Sequence, residues 1–169
     1  GRVGHVRQRV VILTRPSAKQ AFVQRYGSEG QTRFAMAQSA KGVADFKKAE
    51  VEDSAQSRAV ARIRKAMPSD VKLAEIDRQM VAQFLFEPHD LVVAAGQDGL
   101  VANVGKYLEG QPLAGVNPDP QTIDGSLLAF NVETFIAALP QVLNDRRPLR
   151  EATLAEAQTS DRQVLRGLN

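Results

Sequence analysis

The sequence predicts an α/β protein, a Rossmann-like parallel sheet with helices on both faces, and three observations carry that reading. Four short apolar runs, Arg9–Thr14, Val71–Ile76, Asp90–Ala95 and Leu113–Asn117, are separated by stretches with helical character. Strands alternating with helices favour a parallel sheet wound with right-handed crossovers. Val92 and Val93 with their small neighbours are apolar in succession rather than alternately, as a strand covered on both faces requires. A chain of 169 residues, 43% of them hydrophobic, is also long enough for one good core, or for one domain and part of another.

Arg9–Thr14 is the first strand. Pro16 suits the first turn of the next helix, where its missing N–H leaves no bond unmade, and that helix passes Ala21, Phe22 and Tyr26 to end by Gly27. Residues 28–50 define no clear face, because Phe34, Met36 and Phe46 are sparse and Gly42 interrupts them. A helical excursion or a mobile flap is the expectation there. Between about 53 and 67, Ala55, Ala59, Val60, Ile63 and Ala66 alternate with Arg58, Arg62, Arg64 and Lys65, the pattern of an amphipathic helix with a wet cationic face. Asp53 is its natural N-cap, and the late cations suit the negative end of the helix dipole.

Met67–Asp70 reads as a loop, Val71–Ile76 as the second strand, and Asp77 as the cap of a short helix reaching about Phe84. Asp90–Ala95 is the third strand. Leu100, Val101, Val104 and Leu108 then recur at helical spacing, and Leu113–Asn117 is the fourth strand. From Asn131 a further helix begins, with Val132, Phe135, Ile136, Leu139 and Leu143 on one face and Pro140 expected to kink or split it.

Between the third strand and its helix lies Gly96-Gln97-Asp98-Gly99. Gly96 and Gly99 let the backbone turn tightly and approach a ligand, while the new helix offers unpaired N–H groups and a positive dipole end to an anion. Asp98 stands where a carboxylate reaches that ligand. A tight structural turn with a helix-capping Asp uses the same residues, so the motif alone does not decide. Ligands of such sheets bind beyond the carboxyl ends of the strands. The turn at Thr14–Ser17, the 96–99 turn and Asn117 all fall at such ends, so one crevice could hold all three.

Gly-Gln-Asp-Gly in this setting resembles the Gly-Gly-Asp-Gly motif of the NAD kinase superfamily, whose relatives include lipid kinases with a diacylglycerol kinase catalytic domain. Arg9-Val-Val-Ile-Leu-Thr-Arg-Pro-Ser17 resembles that family's first strand and nucleotide-contacting turn. Pro112-Leu-Ala-Gly-Val-Asn117 resembles its strand ending in Gly-Ile-Asn. The resemblance covers roughly residues 9–130, with a weaker extension to the end. It implies an ATP- and Mg²⁺-dependent kinase in which Asp98 is the general base, and Thr14, Arg15, Pro16, Ser17, Gly96, Gln97, Gly99 and Asn117 bind nucleotide. Phosphoryl transfer to a hydroxyl of NAD, hence NADP biosynthesis in the cytoplasm, is the implied activity.

The sequence departs from the family at two places. The second glycine is Gln97, and the Thr usual after the motif is Leu100. A side chain at 97 could crowd or reshape the pocket, so a lipid, sugar or other hydroxyl acceptor stays open, as does a catalytically silent nucleotide-binding module. A Rossmann-type dehydrogenase is disfavoured, because Arg15-Pro16 stands where Gly-x-Gly-x-x-Gly would follow the first strand. The loop Asn117-Pro-Asp-Pro-Gln-Thr-Ile-Asp-Gly125 is long for its position, and its Asp119 and Asp124 are further candidates beside the site.

Composition narrows the classes. The net charge of +3 hides an asymmetry, 16 Lys/Arg against 9 Asp/Glu in residues 1–88 and 6 against 10 in 89–169. The basic half could steer a polyphosphate, but no basic run interleaved with aromatics supports nucleic-acid binding. Zero cysteines exclude disulfides and thiolate metal sites and fit a reducing cytoplasm. His5 and His89 are isolated from any ligand pattern, so no protein-built metal site is expected. No apolar run approaches membrane-spanning length, and residues 1–8 lack the apolar core of a secretory signal. Self-association into a homo-oligomer is left open.

Residues 1–147 are thus read as the α/β nucleotide-binding domain and 148–169 as a linker and the first β-hairpin of a second, truncated β domain. Glu151–Ala157 and Arg162–Leu168 supply the two strands around a polar turn. The resembling family has an all-β second domain whose Asn-Glu or Asn-Asp dipeptide contacts the acceptor. Asn169 would be the Asn of that dipeptide, an acceptor-binding residue whose acidic partner is not in the chain.

Overall fold

A computed structural model describes residues 9–144 and 164–165. They divide into two units, one of residues 16–58 and one built from the chain before 16 and from 59 onward. In the second, β1 (Arg9–Thr14), β2 (Lys72–Asp77), β3 (Asp90–Ala95), β4 (Leu113–Asn117) and β5 (Phe130–Asn131) form a wholly parallel sheet in the order β2-β1-β3-β4-β5. β6 (Val164–Leu165) also pairs parallel to β4, opposite Leu113 and Ala114. The α/β Rossmann-like fold class is as the sequence indicates. β1, β3 and β4 have the bounds read from their apolar runs, and β2 begins and ends one residue later than its run.

Successive side chains of a strand point to opposite faces, so consecutive apolar residues feed two cores. Val10, Ile12, Leu91, Val93, Ala95, Ala114 and Val116 face one way. They pack with Ala59, Val60 and Ile63 from the end of α3 (Ala40–Ala66) and with Phe135, Leu139 and Val142 of α5 (Val132–Asn144). Val11, Leu13, Val92, Ala94 and Leu113 face the other way, against Leu100, Val101 and Val104 of α4 (Asp98–Gly105) and Val81 of a 3₁₀ turn at Arg78–Gln83. Asp77 caps that turn as expected, accepting from the Gln79 and Met80 N–H groups. The turn is 3₁₀ rather than α. Helix α5 passes through Pro140 without splitting, because Pro140 lies on the exposed side, where water can take the carbonyl its ring leaves without a donor.

The amino ends of the strands are tied by a buried ion pair. Asp90, with 1% of its side chain exposed, accepts from Arg9 Nε at 2.8 Å, Arg9 Nη2 at 2.7 Å and the Glu87 N–H at 2.7 Å. Arg9 also donates to the Leu85 carbonyl and lies over the Phe84 ring. Its pKa is raised, first by the hydrogen bond to Asp90 and against the opposing effect of burial.

Residues 16–58 are helical through most of their length, so of the two expectations for residues 28–50 the helical excursion is the one the structure has. α1 (Ala18–Tyr26) starts after Pro16, which lies outside the helix instead of in its first turn. Ser17 takes the cap position, accepting from the Gln20 N–H while Gln20 returns a bond to the Ser17 N–H. Gly27 ends α1 with φ of 100°, a conformation suited to glycine. α2 (Glu29–Met36) is capped by Ser28, and α3 begins at Ala40, so Asp53 is mid-helix and not its N-cap. Gly42 does not interrupt the helix. A side chain there would meet the Met36 carbonyl at 2.3 Å, so its bareness allows the tight corner between α2 and α3.

Candidate functional site

Parallel strands bring their carboxyl ends to one edge, and the register places Leu13 beside Ala94, Ala95 beside Val116 and Asn117 beside Asn131. In the order β2-β1-β3-β4-β5 the winding reverses between β1 and β3, the point where open parallel sheets bind ligands. Thr14 ends β1, half-buried, and Arg15 follows it exposed. Across from them, Gly96 and Gln97 follow β3. Arg15 Nη1 donates to Gln97 Oε1 at 2.8 Å, linking the two sides of the switch point.

Pro16 and Ser17 belong to the unit of residues 16–58. The Ser17 hydroxyl is engaged there, donating to Asp53 Oδ1 at 2.6 Å while capping α1.

The glycine turn differs from expectation in its backbone. Neither Gly96 nor Gly99 has a positive φ; among the described glycines Gly27 and Gly110 do. Gly96 donates its N–H to Val116 O, and a side chain on it would come within 3.1 Å of Leu100 Cδ2. A Cβ on Gly99 would meet nothing within 4 Å. Neither backbone strain nor crowding therefore requires Gly99 within the chain itself. Its bareness leaves the first turn of α4 accessible, and there the helix has N–H groups without intrahelical partners.

α4 begins at Asp98, two residues before the first apolar residue of its pattern, with Gln97 at the cap and making no side-chain cap bond. Asp98 is thus not the cap itself. Its carboxylate reaches across to the loop before β5: Oδ1 accepts from the Leu127 N–H at 2.8 Å, and Oδ2 from the Ser126 N–H at 2.9 Å and the Ser126 hydroxyl at 3.4 Å. Local spacing had no signal for these partners, 28 and 29 residues away.

Asn117 is buried, and both ends of its amide organise the loop that follows. Nδ2 donates to the Ile123 carbonyl at 2.8 Å and Oδ1 accepts from the Asp119 N–H at 2.9 Å. Asp119 holds the Thr122 hydroxyl at 2.8 Å, while Asp124 is exposed. Gly115 and Gly125 give the loop room: a Cβ at 115 would fall 2.5 Å from the Leu127 carbonyl, and one at 125 would fall 2.7 Å from Asp98 Oδ1.

The cations of α3 in this unit are a wet face, as their spacing suggests. Arg62 pairs with Glu133, and Arg64 grips Glu75 through two bonds at 2.6 and 2.8 Å. The Glu75 pKa is lowered, chiefly by the hydrogen bond from Arg64. Among the described residues no three His, Cys, Asp or Glu side chains gather in a way that could hold a metal ion. Mg²⁺ commonly binds largely through substrate phosphates and waters with few protein ligands, so the absence of such a cluster among the described residues does not bear on it. Among the described residues no helix is long and apolar enough to cross a membrane.

His5, Asn169 and most of residues 148–169, where the sequence suggests a hairpin, lie outside the described residues. Within that segment, Val164–Leu165 is the strand beside β4. No family model matches the chain, and no curated protein matches it.

Proposed function

We propose that the chain is an ATP-dependent phosphotransferase of the NAD kinase type, passing a phosphoryl group to a hydroxyl of NAD or a related acceptor. One observation carries the reading: the acidic glycine turn Gly96–Gly99 stands at the sheet's switch point, with Gly99 open to solvent and Asp98 in the first turn of α4. Arg15 and the α4 N-terminus would hold the phosphates, and a bound Mg²⁺ would offset their charge. Thr14, Gly96 and Asn117 shape the surrounding turns, and the resemblance adds Pro16, Ser17 and Asn169 to the binding residues.

A carboxylate has about four acceptor positions. Three of those on Asp98 are used by Ser126 and Leu127, so one on Oδ1 remains to take the acceptor's proton. General-base help is worth on the order of 10²–10⁴ in rate, and positioning and electrostatics supply much of the remainder. A cytoplasmic place in NADP formation, and any homo-oligomer, belong to the same proposal.

The Arg15–Gln97 bond favours a second reading, a nucleotide-binding module without turnover, because it places the family's missing side chain across the switch point. Incubating the protein extended through the expected β domain with ATP, Mg²⁺ and NAD, and following ADP and NADP together, separates the two. NADP formation by the parent and its loss in Asp98→Asn support the kinase. ATP binding without product from NAD, lipid or sugar acceptors supports the silent module.

A further inference from the structure

The carboxylate assigned to chemistry also performs a mechanical task. The segment between Asn117 and β5 is fastened at two places. Near its start, Asn117 holds Asp119 and Ile123. Near its end, Asp98 receives two consecutive backbone N–H groups, of Ser126 and Leu127, at 2.9 and 2.8 Å. Such charge-assisted bonds are about twice as strong as neutral ones.

Two missing side chains make this seating feasible. The Leu127 carbonyl lies where a side chain on Gly115 of β4 would be, and Asp98 Oδ1 lies where one on Gly125 would be. The exposed Ser126 hydroxyl is thereby held 3.4 Å from Asp98 Oδ2. All of these residues stand beyond the carboxyl ends of β3 and β4. Arg15 stands beyond β1, on the other side of β3 in the strand order.

We infer that Asp98 is a positioning residue as well as the proposed base: it docks residues 118–128 as the wall of the crevice opposite Arg15, and that wall presents the Ser126 hydroxyl to the acceptor. The inference rests on the phosphotransferase reading for the ligand's identity alone. A hydroxyl-bearing acceptor approaching Asp98 meets Ser126 beside it, so acceptor affinity depends on whether the wall is docked. Phosphate held by Arg15 and the α4 N-terminus does not depend on it.

The test uses the whole chain in four forms: parent, Asp98→Asn, Asp98→Ala and Gly115→Ala. Amide exchange at Ser126 and Leu127 is read with the β3 amides as the control for intact folding. Loss of both bonds in Asp98→Ala should speed exchange at the two amides by on the order of tenfold or more. Asp98→Asn keeps one carbonyl acceptor and should fall between, whereas loss of a base alone would make the two substitutions alike. Gly115→Ala leaves the carboxylate intact but sets a Cβ against the Leu127 carbonyl.

Gly115→Ala should free the same amides, weaken NAD binding by about tenfold, and leave ATP binding within about twofold. Unchanged exchange at Ser126 and Leu127 in Asp98→Ala, or equal NAD affinity in parent and Gly115→Ala, overturns the inference. Should the four forms show the graded exchange and the NAD effect while the parent releases no ADP, the kinase reading fails and the docked wall stands.

Discussion

Asp90 opens β3 and ties its amino end to β1, a structural role that Asp90→Ala tests directly. Asp90 is at the amino end, where its carboxylate accepts two bonds from Arg9 and one from the Glu87 N–H. Removing it leaves a guanidinium whose side chain is 18% exposed with only the exposed Glu87 carboxylate, 3.8 Å away, as counter-charge, and takes the acceptor from a backbone donor. Breaking a buried pair from one side costs about 3–5 kcal/mol, a large share of the roughly 5–15 kcal/mol that holds a domain together. At about 2–4 °C per kcal/mol for a chain of this size, the melting temperature should fall by about 6–20 °C. Calorimetry and urea unfolding measure it, with ATP affinity read well below the new transition and expected to match the parent. Arg9→Met combined with Asp90→Leu should recover much of the loss, since two apolar groups leave no charge behind. A loss under about 1 kcal/mol, or a double variant as weak as the single one, would refute the argument that this pair pins the amino ends of β1 and β3.

Gln97→Gly removes the acceptor of Arg15 Nη1. It should raise the use of NAD relative to other hydroxyl acceptors, with a backbone-entropy cost of roughly 0.5–1 kcal/mol; an unchanged acceptor profile in a competition assay counts against selectivity at this position. Glu75 has a pKa lowered by Arg64 from an ordinary 4.5, so its stabilisation is present above that value and fades as pH falls through the lower, folded one. Both side chains are 40% or more exposed, which limits the pair to no more than about 1 kcal/mol. Arg64→Met should therefore reduce stability near neutral pH and leave it nearly unchanged below the folded pKa, as urea melts across pH would show. Ser17→Ala removes the α1 cap and the bond to Asp53 and should cost on the order of 1 kcal/mol, with no loss of stability as the contrary result.

The sheet was legible because its code is local. Successive buried residues such as Val10–Leu13 and Leu91–Ala95 mark strands covered on both faces. The helices of residues 28–52 were not, because their apolar residues do not share one face: Phe34 is 72% exposed, whereas Met36 and Phe46 are buried. Asp53 looked like a cap because an acidic residue preceded the first regular pattern, but the helix extends back to Ala40 and turns that side chain toward Ser17. The glycine turn could be located from sequence. The partners of Asp98 could not, since their contact depends on how the strand order folds residues 126 and 127 back onto α4.

The glycines around the turn separate architecture from chemistry more sharply than the motif does. Gly115 and Gly125 are required by the chain's own atoms, with approaches of 2.5 and 2.7 Å awaiting any side chain, and Gly96 is restricted by Leu100 at 3.1 Å. Gly99 has no such neighbour and an ordinary backbone conformation. In a helix interior, alanine is favoured over glycine by about 1 kcal/mol, and although the first turn softens that preference, the fold offers nothing that reverses it. An uncrowded glycine beside a carboxylate, at the N-terminus of a helix and at the switch point of the sheet, is what close approach of a phosphate to the backbone would require. Gly99, the glycine for which the protein's own packing has no use, is the residue of this turn that points most directly to a ligand.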